Sequence, residues 1–268
     1  EGAGSVVFAI TSLLGFGLSV LTGPLTDRIG PRALLVAGAV SLGAGLLSTA
    51  MATSIWQAYL SYGLGVGISL GCVYVPVLAA IGRWFDRLRA LAIGIVVTGV
   101  GLGTFAGPPL SAWLIAQAGW RTAYLCYAAG GSALLVFAAL LIAPPPQAPQ
   151  SGSVGQAGQR RGFGIFYAAT MLINVVIYVP YAHLSYSAQL IGVNALTAAS
   201  LVSVIGISNI LGRIAVASLV RSIGPLLLFK ACHVGLSLSF VAWLTAHDYG
   251  GLLVFAVLLG ACHGTYSA

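Results

Sequence analysis

Arg213 sits inside an apolar stretch, eight residues before Arg221, which marks where that stretch ends. At 1.5 Å per helical residue the two lie about 12 Å apart, close to half a bilayer's hydrocarbon core. A guanidinium at that depth is expensive and has to face a cavity or a partner. Its own helix offers no acid. A planar fork of donors suits bidentate capture of a carboxylate, so the chemistry on offer is anion binding; an acid or backbone carbonyls elsewhere are the competing partners. Asn209, four residues earlier on the same helical face, can bond the same anion, orient the arginine, or simply pack.

Other polar groups lie in apolar surroundings. Tyr74 offers a phenol to a cavity or is an ordinary buried tyrosine. Tyr178, Tyr181 and His183 flank Pro180, whose missing N–H frees a carbonyl; the set reads as a polar gate or as an interfacial aromatic belt. His263 and Tyr266 reach a cavity from the last apolar stretch, or His263 packs there as a neutral ring. The acids are Glu1, Asp27, Asp86 and Asp248, none deep in an apolar stretch, so paired-carboxylate catalysis has no material and an enzyme is not expected. Cys72, Cys126, Cys232 and Cys262 show neither CxxC nor Cys/His spacing; they read as packing residues, with no metal site. Gly101 to Ala106 formally fits a dinucleotide pattern but follows no strand, and no cofactor is expected.

The elements that hold these groups are transmembrane helices. Of 268 residues, 59% are hydrophobic and 6% charged, which excludes a soluble globule. Nine stretches are long enough to cross a bilayer, at roughly 5–23, 33–52, 56–81, 91–115, 121–142, 163–189, 195–220, 226–246 and 250–268. Gly63, Gly67 and Gly71, and again Gly99, Gly103 and Gly107, recur every four residues and give two helices a flat stripe for close contact. The fold class is therefore an all-α membrane protein.

The net charge of +7 does not indicate nucleic acid, because the basic residues are scattered over interhelical segments. Arg28, Arg32, Arg83, Arg87, Arg89, Arg160, Arg161, Arg221 and Lys230 fall on one side, Arg121 on the other. The positive-inside rule puts the nine in the cytoplasm of a multi-pass protein of the inner or plasma membrane. Residues 143–162, rich in Pro, Gly, Ser and Gln, read as a cytoplasmic linker between an N-terminal bundle (1–142) and a C-terminal bundle (163–268). An internal echo supports the division: Gly23 to Arg32 (GPLTDRIGPR) aligns without gaps to Ala217 to Leu226 (ASLVRSIGPL). Such symmetry is a signature of secondary transporters. The chain opens on Glu1 and stops inside an apolar run, so both ends look cut.

GPLTDRIGPR resembles the loop between helices 2 and 3 of the major facilitator superfamily, through Gly23, Leu25, Asp27, Arg28, Gly30 and Arg32. The resemblance implies two pseudo-symmetric six-helix bundles, of which helices 2 to 10 are present, and a gating contact at Asp27. Arg28 and Arg32 serve that contact or merely anchor topology. WFDRLRALAIGIVVTGVG, from Trp84, resembles the monocarboxylate transporter signature entering helix 5; Phe85, Arg87, Arg89, Leu91, Ala92, Gly94 and Gly99 match, while Trp84 replaces a usual Tyr. Val179 to Val193 and Ser208 to Ile214 look like helices 7 and 8 of the same branch. Gly107-Pro108-Pro109 resembles the Gly-Pro element of exchangers, without its terminal glycine pair.

Together these imply a secondary transporter of small organic anions, monocarboxylates such as lactate or pyruvate, with the anion on Arg213 and with a co-transported proton or an exchanged anion as the coupling partner. Asn209 stands where many relatives carry an acid implicated in proton coupling, and an amide cannot titrate. An oxalate/formate-like exchanger, a drug-efflux carrier and a non-transporting membrane sensor of the same fold are the alternatives.

Overall fold

The computed structural model describes residues 2–85, 89–143 and 176–266. All of its regular structure is helical: α1 (Gly2–Ala50), α2 (Ile55–Trp84), α3 (Arg89–Leu141), α4 (Val179–Leu190), α5 (Ala195–Ile223), α6 (Pro225–Leu244) and α7 (Tyr249–Tyr266). Asp86, Arg87 and residues 144–175, which include nearly all of the expected linker and the start of the sixth expected span, lie outside the described residues.

The nine expected spans map onto these seven helices because two expected loops are single-residue bends. The chain stays helical from residue 23 to residue 33 except at Gly30, with φ 81° and ψ 159°. The fourth and fifth spans likewise join at Gly119, with φ 79° and ψ 164°. Gly224, with φ 80° and ψ 155°, caps α5 and hands over directly to α6. Only glycine enters this region without strain. A proline follows at Pro31 and Pro225, where its fixed φ suits a first helical turn and its missing N–H costs nothing. The echo read from the sequence is thus a repeated backbone conformation. Pro180 likewise falls in the first turn of α4, with the break at Tyr178, so it starts a helix where a mid-helix kink was expected.

The helices are apolar outside and finely packed inside. Large side chains such as Leu13, Leu134, Leu140 and Leu244 are exposed, which only a hydrocarbon environment makes stable. Five helical stretches are long and apolar enough to cross a membrane, among them Ile55–Trp84 and Ala195–Val216. Buried hydroxyls bond backbone carbonyls across helices: Thr22 Oγ1 to Gly71 O at 2.6 Å, Ser41 Oγ to Gly65 O at 2.9 Å, Ser132 Oγ to Ala39 O at 2.9 Å. With no water in the hydrocarbon, such bonds hold helices in register.

α1, α2 and α3 pack on one another, and α5 and α7 form the centre of a second group with α4 and α6. Leu201, Ile205, Phe255 and Leu259 are fully buried there. The groups meet chiefly where α3 crosses α5, and again where α1 meets α4. At the first crossing a Cβ on Gly206 would meet the backbone of Gly101, Thr104 and Phe105. The stripe of Gly63, Gly67 and Gly71 packs as expected, against Ile10, Leu14 and Leu18 of α1. The expected second stripe does not: Gly99, Gly103 and Gly107 face open space, and the close approach of α3 is made by Gly101 instead.

Gly224→Ala forces an L-residue into the glycine-only region and is expected to cost about 1–3 kcal/mol. Thermal unfolding in detergent reads this as a lowered midpoint, whereas Gly103→Ala, which meets nothing, leaves the midpoint in place.

Candidate functional site

The site forms on α5, where Arg213 and Asn209 share a face one turn apart. Arg213 Nε donates to Asn209 Oδ1 at 2.9 Å, so the amide orients the guanidinium. Asn209 itself is buried, 5% exposed. The reason is the packing of α5 against α7: a Cβ on Gly264 would run into the backbone of Asn209, and one on Gly260 into Ile205 and Ser208. Thr265 Oγ1 bridges the crossing with bonds to Gly212 O at 3.1 Å and Ala261 O at 2.8 Å. Gly212, Gly260 and Gly264 were not read from the sequence, although the 260/264 spacing is the small-residue signal for close helix contact.

Arg213 Nη1 is buried and has no hydrogen-bond partner. Among the described residues the one ion pair is Arg83 with Asp27, and Asp248 caps the start of α7 by accepting from Gly251 N at 2.8 Å. No described carboxylate therefore neutralises Arg213. Its electrostatic neighbours are phenols, Tyr74 of α2, Tyr181 of α4 and Tyr178 at the start of α4, together with the His263 ring of α7. Tyr181 Oη lies 3.4 Å from His263 Nδ1. The rings are grouped: Tyr178 lies 6.0 Å from Tyr181 and 6.5 Å from His263 between centroids. Phe16 of α1, unremarked in the sequence, stands 6.2 Å from Tyr178.

Five of the seven residues expected to bind substrate are thus brought together: Arg213, Asn209, Tyr74, Tyr181 and His263. His183 is two residues beyond Tyr181, a spacing that turns it to another face of α4. Tyr266 is the last residue of α7, and its side chain is outside the described set.

A second cluster ties the basic ends of α1, α2 and α3. Arg83 Nη1 bonds Asp27 Oδ1 at 2.5 Å. Arg32 donates from Nε to Ile142 O at 2.7 Å and from Nη2 to Leu140 O at 3.0 Å, carbonyls that a helix end leaves unsatisfied. Trp84 Nε1 reaches Ala143 O at 3.3 Å. Arg83 was read only as a topology marker; its partner lies fifty-six residues away in sequence. Gly23 touches Val75 at an ordinary distance, and Phe85 is the exposed C-cap of α2. Arg28 follows Asp27 on α1 and Arg89 opens α3. Gly107 O accepts from Ser111 Oγ at 2.8 Å and Tyr127 Oη at 3.1 Å, beside Pro108 within α3.

The profile of the Major Facilitator Superfamily matches residues 1–268. The chain belongs to that superfamily. It is 37% identical over 196 residues to monocarboxylate transporter 13 of Bos taurus, covering 71% of this chain and 46% of that protein. To monocarboxylate transporter 13 of Rattus norvegicus it is 34% identical over 251 residues, 90% of this chain and 58% of that one. The chain thus spans about half the length of these curated relatives. The fold resembles solved structures of the nucleoside transporter NupG (TM-score 0.69, 18% identity, 98% of this chain and 72% of that) and of the xylose transporter XylE from E. coli (0.67, 15%, 99% and 74%). The superfamily comprises multi-pass membrane transporters and not enzymes, and the monocarboxylate transporter-like branch is the one the relatives support.

Gly264→Val pushes α7 off the Asn209 backbone and is expected to weaken ligand binding at Arg213 by about tenfold or more, since a misplacement of about 1 Å disables a preorganised site. Binding of labelled pyruvate to the full-length protein in detergent checks this, with Gly103→Ala as the neutral control.

Proposed function

We propose that the chain is the central part of a secondary transporter that carries small monocarboxylates by alternating access, with the carboxylate docked on Arg213. The observation that carries the reading is the buried, unpartnered Nη1 of a guanidinium whose Nε is already held by Asn209. Nη1 supplies a charge-assisted bond where the fold offers none, and the entering anion supplies the missing countercharge. The phenols of Tyr74 and Tyr181 provide further donors, and His263 holds the Tyr181 hydroxyl in place.

In this reading 1–142 and 163–268 are two bundles joined by a cytoplasmic linker at 143–162, in a cell membrane, with the basic end inside. They rock about a site near the bilayer midplane. An empty cation between them disfavours closure, and neutralisation by substrate removes that cost. Asp27, Arg28, Gly30, Arg32, Arg83 and the helix 5 entrance at Phe85, Arg87 and Arg89 form the cytoplasmic gate. The coupling partner is a proton or an exchanged anion. Asn209 cannot carry the proton, so any proton route runs through another group.

Arg213→Ala in the full-length protein, reconstituted in proteoliposomes, is expected to abolish uptake of labelled lactate or pyruvate, a loss of at least about a hundredfold for a buried charged bond, while the amount inserted stays unchanged. Arg213→Lys restores charge without the fork and recovers only part of the rate. Unchanged uptake in Arg213→Ala removes the anion site from the account. For the gate, Asp27→Asn breaks the tie to Arg83 and is expected to lower the transport rate several-fold with little change in substrate affinity, read from single-turnover and binding measurements.

A further inference from the structure

The surroundings of Arg213 are aromatic where a site for multiply charged anions would be cationic. Tyr178 is the hub: Phe16 at 6.2 Å, Tyr181 at 6.0 Å and His263 edge-on at 6.5 Å. These rings come from both groups of helices, Phe16 from α1 and the others from α4 and α7, so they border the space that opens and closes between the groups. Phe16 keeps 43% of its surface exposed, leaving ring face for a ligand to cover. Tyr74 adds a phenol from α2.

The charge inventory is equally one-sided. Among the described residues Arg213 is the one cation deep within a helix; Arg28, Arg32, Arg83 and Lys230 lie towards one end of the helices, and Arg121 sits over the Trp120 ring at the other. One guanidinium neutralises one carboxylate. A second carboxylate on the same ligand would lose its hydration and meet phenols, which donate single neutral bonds. A flat apolar body, by contrast, gains offset or edge-to-face contact with rings already arranged at such spacings. Binding pockets of this kind combine an apolar lining with few fixed polar groups.

We propose that the site selects singly charged carboxylates with an aromatic body, such as aryl-acetates or aryl-substituted 2-oxo acids, over lactate-sized acids and over dicarboxylates. The proposal rests on the anion reading above and specifies the part of the ligand that Arg213 does not touch. The carboxylate faces Arg213 and the ring lies against Tyr178 and Phe16, bridging the helix groups as they close.

Uptake of labelled phenylacetate, lactate and phenylmalonate into proteoliposomes holding the full-length protein tests it. Phenylacetate and phenylmalonate share the ring and differ by one carboxylate. The expected result is kcat/KM for phenylacetate about tenfold or more above that for lactate, from ring contact, and about tenfold or more above that for phenylmalonate, from the uncompensated second charge. Phe16→Ala is expected to collapse the phenylacetate-to-lactate ratio towards one, whereas Tyr178→Phe, which keeps the ring, preserves it. If lactate equals or exceeds phenylacetate while Arg213→Ala still abolishes uptake, the aromatic selectivity is wrong and the anion site stands. If phenylmalonate is carried as well as phenylacetate, the single-charge limit is wrong. If no carboxylate depends on Arg213, both readings fall.

Discussion

A cation held in a medium that does not solvate it is the constraint around which this molecule is organised. Nothing in the described residues neutralises Arg213. Its position therefore has to be enforced by packing, and the glycines of α5 and α7 do that by bringing the two backbones together beneath Asn209. The amide fixes one edge of the guanidinium and leaves another edge open. An unmet charge costs stability, and in a binding site that cost becomes affinity for whatever ligand removes it.

The same economy of contact runs through the fold. Three glycines at positive φ turn long helices without loops, so that the basic ends of α1, α2 and α3 stay close enough for Arg83, Arg32 and Trp84 to lace them. Across the molecule, Gly101 and Gly206 let α3 and α5 touch backbone to backbone. A flat crossing without interlocked side chains lets one helix group tilt against the other, while Phe16 and Tyr178 mark the second place where they meet. Rigid fixation within a group and smooth contact between groups are what alternating access requires.

Much of this was legible in the sequence, for reasons that differ by residue. A charge in an apolar run announces itself, so the depth of Arg213 and the shared face of Asn209 could be read from spacing alone. The Gly-Pro echo could be read as a repeat but not as a one-residue bend, because a loop and a bend have the same composition and only the dihedral angles distinguish them. Gly99, Gly103 and Gly107 form a stripe on paper, yet a stripe does not say whether another helix faces it, and Gly101 on a different face made the contact. Arg83 looked like a topology marker because its partner comes from another helix, and Phe16 carried no signal at all among neighbours equally apolar. His183 was grouped with Tyr181 by proximity in sequence, which a helix undoes within two residues.

The most direct test of the central claim is a structure of the full-length protein with a bound monocarboxylate. The account predicts carboxylate oxygen at hydrogen-bonding distance from Arg213 Nη1, about 2.7–2.9 Å, with Asn209 still holding Nε. It is contradicted if Arg213 is paired with an internal carboxylate and the ligand lies elsewhere, or if the guanidinium faces lipid.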